Sequence, residues 1–149
     1  MPEETENTDQ LLPEVTSVFR LSREAIVTHQ LDGTITAWNQ SAERIFGYTS
    51  KEMIGQSVEK LVPVGNSDQF SLLAEVRRGK TIEDFRTQRK HKDGRMIDVS
   101  LAVSPIRDQM GRVVGVLCIS LDISDRIRLD RDPPDHMSLE QARAAETTM

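Results

Sequence analysis

The sequence predicts an α+β domain: a five-stranded antiparallel sheet with helices packed on one face. Three observations carry this reading. β-Branched and aromatic runs over 25–30 and 34–39 are followed by a segment that repeats every three to four residues, and from residue 83 the period changes to two. The 149 residues suffice for about one domain and short tails. The last strand is apolar on both parities, Val114, Val116 and Cys118 beside Ser120 on one and Val113, Leu117, Ile119 and Leu121 on the other. A sheet with one solvated face would alternate with polar residues, so both faces need a cover.

The elements follow in chain order. Glu3, Glu4, Glu6 and Asp9 make an acidic N-terminal tail that cannot offset the entropy of ordering. Val15, Val18 and Phe19 recur at helical spacing behind Pro13 and Glu14, which predicts an amphipathic helix over 13–22. A helix this short must dock, either on its own sheet or on a second copy of the chain. Residues 25–30 and 34–39 flank Leu31-Asp32-Gly33 and read as a β-hairpin. Asn39 can cap a helix over 41–46, Thr49 with Glu52 forms a capping box, and 56–61 ends at Pro63. Over 69–78, Phe70, Leu73 and Val76 define an apolar helical face that stops at Gly79. Strands over 83–90, 95–106 and 112–121 turn at Lys92-Asp93-Gly94 and at Asp108 to Gly111, an antiparallel meander.

Composition narrows the function. Nineteen basic against 24 acidic residues leave a net charge of −5, which disfavours nucleic acid as a partner. No apolar run approaches the roughly 18 to 20 residues that span a bilayer, and no secretory leader is visible, so no membrane partner and a cytoplasmic location are expected. The single cysteine, Cys118, sits in an apolar run and reads as a small buried hydrophobe, and no metal-type spacing surrounds it. No serine or cysteine sits in a glycine elbow near His29 and Asp32, so no catalytic residue is assigned and the chain is not expected to be an enzyme.

Six short stretches, in order, resemble a PAS domain over residues 23–127. They are Leu31 to Ile35, Trp38 to Glu43 with Phe46 to Thr49, Glu52 to Gly55, Lys92 to Arg95, Ser104 to Asp108, and Leu121 to Ser124. The resemblance implies a cytoplasmic sensor or regulatory module with a cavity between the inner sheet face and the helices. It also implies dimerisation through the N-terminal helix and the outer sheet face. Residues 1–22 and 128–149 then flank the domain as tails. Photoactive flavin binding is not expected: Gly55-Gln56-Ser57-Val58 puts Val58 where that branch carries its cysteine, and Val99 and Ser120 replace flavin-contacting amides. Haem is equally unexpected, because the helix over 69–78 holds no histidine. No cofactor is therefore anticipated.

Within that frame, alternation assigns Ile26, Thr28, Val99, Leu101, Val103, Val116, Cys118 and Ser120 to the sheet side of the pocket. Ile45, Val58, Leu61, Leu73 and Val76 are assigned to its helical side. Only Thr28, Cys118 and Ser120 carry polarity, which favours a mostly apolar ligand. The expected homodimer contact comprises Val15, Val18, Phe19, Val27, Val113, Leu117, Ile119 and Leu121. The resemblance gives Asp122 the role of signal output towards a partner such as a kinase or transcription regulator. The rival reading is a ligand-free interaction module. His29 reads as an exposed or half-buried sheet residue and His91 as a solvated turn residue. Pro133-Pro134 ends any helix leaving the domain, and 138–147 has the composition of a further short helix. The chain is thus expected to act in trans or as part of a larger sensor protein.

Overall fold

The computed structural model describes residues 13–124. The acidic tail, the Val15 side chain and the C-terminal segment with its expected helix lie outside the described residues. Helix α1 (Pro13–Leu21) precedes the hairpin of β1 (Ala25–Gln30) and β2 (Ile35–Trp38). Three helices, α2 (Gln40–Phe46), α3 (Ser50–Met53) and α4 (Asp68–Arg77), follow, with a 3-10 turn at Val58–Leu61 before the last. Strands β3 (Ile82–Lys90), β4 (Met96–Arg107) and β5 (Val113–Asp122) complete the described chain. The sheet is antiparallel in the order β2-β1-β5-β4-β3, so the first and last strands lie side by side in its middle.

Local chemistry sets the joints. Gly33 turns the hairpin at φ +94°, a conformation that side chains resist, and Asp32 Oδ1 accepts the Thr34 backbone N–H at 2.9 Å. Asn39 is 2% exposed and uses its whole amide. Its Oδ1 accepts from Ile26 N and Ala42 N, and its Nδ2 donates to Phe19 O and Glu24 O. One side chain thereby caps α2 and fastens the end of α1 and the start of β1. The Ser41 hydroxyl adds a bond to Ser22 O. The Thr49/Glu52 capping box forms as the spacing predicts. At the far edge, β3 carries a bulge between Ile82 and Phe85, with Asp84 at φ 55°.

The core lies between the sheet and the helices. It joins Ala25, Val27, Ile97, Val99, Leu101, Val103 and Val116 to Ile45, Phe46, Met53, Val58, Leu61, Leu72 and Val76, all buried. Two expectations about facing are reversed. Val27 pairs with Cys118 and points into the core, while Ile26 and Thr28 pair with Ile119 and Leu117 on the outer face. Ile26 and Thr28 therefore leave the pocket and Val27 leaves the outer surface. The cause is the sequence Ala-Ile-Val-Thr-His-Gln, which offers little polar contrast between parities, so pairing with β5 decides. In α4, Leu72 and Val76 turn inward, Leu73 is half-buried, and Phe70 is 82% exposed.

A buried ion pair fixes that helix. Arg89 on β3 is 4% exposed as a residue and donates from Nη2 to Asp68 Oδ1 at 3.0 Å and to Gln69 Oε1 at 3.3 Å. The Thr87 hydroxyl donates to the other Asp68 oxygen and accepts from Asn66 Nδ2 at 3.4 Å. The first turn of α4 is clamped to the inner face of β3, which sets the rotation that selects Leu72 over Phe70.

Candidate functional site

A half-open cavity of about 350 Å3 lies beside the packed core, between the β1–β2 turn, the 3-10 turn, residues 62–67 and the start of α4. Its apolar wall comprises Leu31, Val58, Val62, Pro63, Val64, Phe70 and Leu73. Its polar groups among the described residues are His29, Asp32, Glu59, Asn66, Ser67 and Gln69, with no lysine or arginine among them. Each wall has a local cause. The hairpin turn is tied to the 3-10 turn by Val58 N donating to Gly33 O at 2.8 Å, and Thr34 bridges Ser57. The opposite wall is held by the clamp at Asp68, whose N–H also donates to Asn66 Oδ1 at 2.8 Å.

His29 is the unexpected member. Its inward parity, shared with Ala25 and Val27, leaves it 2% exposed, correcting the expected half-buried surface position. Nδ1 lies 2.7 Å from the Gln30 carbonyl. A carbonyl only accepts, so Nδ1 carries the hydrogen and the neutral ring keeps its lone pair on Nε2. That Nε2 is buried without a partner among the described residues. Burial lowers the His29 pKa below its ordinary value, opposed by the Gln30 carbonyl and the Asp32 charge. Asp32, exposed at the rim, is held below the usual carboxylate range by the Thr34 N–H and hydroxyl.

Of the expected pocket residues, Val58 and Leu73 line this cavity. Ile45, Leu61, Val76, Val99, Leu101, Val103, Val116 and Ser120 are buried in the packed core or at its edge, and Cys118 packs partly buried against it. Burial pushes the Cys118 thiol up to about 12, as a small hydrophobe requires. The cavity's other walls come from the loop after the 3-10 turn. His91 also departs from the solvated reading: its ring covers Gly47, whose added Cβ would collide with it, and its side chain is 14% exposed.

On the outer face, Leu117, Ile119 and Leu121 form a shallow apolar groove with Ala102, edged by Glu24, Glu83 and Asp84. Val113 is half-buried, Val18 is 65% exposed, and Phe19 is half-buried where its carbonyl meets Asn39. Asp122 is exposed and accepts the Ser124 N–H at 2.9 Å. Among the described residues no helix is long and apolar enough to cross a membrane, and no cluster of three or more metal-ligating side chains occurs.

Comparison with known proteins agrees with this architecture. A PAS domain family match spans residues 23–125. The chain is similar to a crystallised PAS domain from Colwellia psychrerythraea, at 28% identity and a TM-score of 0.68, covering 75% of this chain and 96% of that one. It shares the fold of the PAS domain of an HTR-like protein from Haloarcula marismortui, at 22% identity and a TM-score of 0.64, over 80% and 94% of the two chains. An RNA-binding light-oxygen-voltage receptor aligns at 19% identity and a TM-score of 0.69, covering 93% of this chain and 38% of that receptor. No curated protein matches the chain. With two thirds of its length matched, its five-stranded sheet and its helices in the same arrangement, the chain belongs to the PAS domain family.

Proposed function

We propose that this PAS domain is a cytoplasmic, non-enzymatic regulatory module that takes a small, mostly apolar ligand in the cavity beside the β1–β2 turn and homodimerises through its outer sheet face. The carrying observation is the cavity itself, where an apolar wall meets one deeply buried polar group, His29, as ligand sites commonly do. Its volume is at the small end of such sites, which suits a metabolite rather than a flavin or haem. Val58 and Val99, at the positions that matter for flavin, are buried hydrocarbon. Native mass spectrometry and an absorbance spectrum of freshly purified protein test this: a small non-chromophoric adduct is expected, and a stoichiometric flavin or haem band would refute it.

Dimerisation is supported by the outer groove of Leu117, Ile119 and Leu121 and by the exposed Val18 on α1. A twofold contact lets each copy cover the other. Wild type should sediment as a dimer at tens of micromolar and Ile119→Glu as a monomer; a monomeric wild type would leave this face to a signalling partner. The tight centre of the core, with Ile97, Val99 and Val116 at 1% exposure or less, favours the second reading, a ligand-free interaction module. A protein that carries no adduct and binds no small molecule would fit that reading instead.

A further inference from the structure

Cations gather where the β1–β2 turn, the end of α4 and the β4–β5 turn meet. Gln30, Gly115 and Ile106 are paired neighbours at this end of the sheet, and two arginines tie the three pieces together. Arg77 donates from Nη2 to Leu31 O at 3.4 Å, and Arg107 donates from Nη1 to Gly111 O at 2.9 Å and from Nη2 to Gly79 O at 3.5 Å. Both arginines are exposed and all three acceptors are neutral carbonyls, so these bonds orient the guanidinium groups without cancelling their charge. Beside them, Arg78 and Lys80 share the one carboxylate of Glu75, and Arg112 pairs with Asp108. Among the described residues no carboxylate pairs with Arg77 or Arg107, that of Asp32 on the adjoining turn included. The β3–β4 side of the molecule is the contrast: Arg89, Lys92 and Arg95 each have a carboxylate of their own, from Asp68, Glu52 and Asp93. Five cations held against two carboxylates, on a chain of net charge −5, make a local positive field that an anionic partner would relieve. No aromatic side chain stands among the seven to stack a base, and so small a surplus of charge meets few phosphates, which favours protein over nucleic acid. We propose that this end of the sheet is an interaction surface for an acidic segment of a partner protein, whose carboxylates pair with Arg77 and Arg107. It depends neither on the cavity being filled nor on the outer groove being covered.

Three labelled probes, a Glu-Gly repeat peptide, its Gln-Gly counterpart and an oligothymidylate of the same charge as the first, separate the outcomes in anisotropy titrations of the full chain. The glutamate peptide should bind best, and at least about tenfold more weakly in about 0.5 M salt. Arg77→Glu with Arg107→Glu should weaken that binding at least about tenfold. Lys90→Glu with Arg95→Glu, which changes the net charge equally at the β3–β4 turn, should weaken it by less than about threefold. In the wild type the glutamate peptide should move the Nε resonances of Arg77 and Arg107 in 1H–15N spectra, which carries the same information if a variant does not fold. Equal losses in the two double variants, or no binding of the glutamate peptide, would overturn the proposal. Tighter binding of the oligothymidylate would overturn it in favour of a nucleic-acid surface.

Discussion

Replacing Asp68 with alanine removes the carboxylate but leaves Arg89 where it is. The Arg89 side chain is 5% exposed and keeps only Gln88 O at 2.8 Å and Gln69 Oε1 at 3.3 Å, both neutral acceptors. Orphaning one member of a buried ion pair costs about 3 to 5 kcal/mol. The Asp68 side chain retains 17% exposure, so the lower end, about 3 kcal/mol, applies. Against a total of about 5 to 15 kcal/mol this is a large loss. At about 4 °C per kcal/mol for a folded domain of about 110 residues, the midpoint should fall by about 12 °C. Urea and thermal unfolding followed by circular dichroism measure it. If the cost lies in the stranded guanidinium, Asp68→Leu combined with Arg89→Met should recover most of it. A loss under about 1 kcal/mol, the worth of a surface pair, would refute the clamp.

Protonation of His29 gives a pH signature. Its folded pKa lies below the unfolded value of 6.5, so from about neutral pH downward the unfolded chain binds the extra proton and stability falls, by at most about 1.4 kcal/mol per pH unit. Urea midpoints between about pH 5.5 and 7 should show this slope in wild type and lose it in His29→Gln, whereas an unchanged slope would mean another group titrates there. Cys118 retains some exposed surface, yet with its thiol near 12 it has almost no thiolate at pH 8, and native alkylation should run at least about a hundredfold slower than in urea. Fast native alkylation would contradict its burial. Gly47→Ala meets both a backbone at φ +85° and the His91 ring, so a loss of at least about 1 kcal/mol is expected in thermal melts. A neutral substitution would show that the His91 ring moves aside freely.

What could be read from sequence was the part governed by neighbours along the chain. The hairpin at Asp32-Gly33, the Asn39 cap, the Thr49/Glu52 box and the three closing strands are local signals, and each element forms within two residues of its expected bounds. What escaped depends on contacts across the fold. The parity of β1 is decided by pairing with β5, which put His29 inside and Ile26 outside. The shared parity of Ala25, Val27 and His29 was the available hint. The rotation of α4 is decided by Asp68 reaching Arg89, a pair 21 residues apart that no helical periodicity encodes. Alternation names the residues of the inner face but cannot tell that they fill it, leaving the open space beside Val58 and Leu73.

The most direct test of the ligand site is methyl NMR mapping with 2-phenylethanol. The methyls of Val58, Val62, Val64 and Leu73, which line the cavity, should shift in a saturable way, while Val99, Leu101 and Val116 in the packed core stay in place. Shifts confined to the core valines and Leu101, or no saturable shift anywhere, would contradict a ligand site beside the β1–β2 turn.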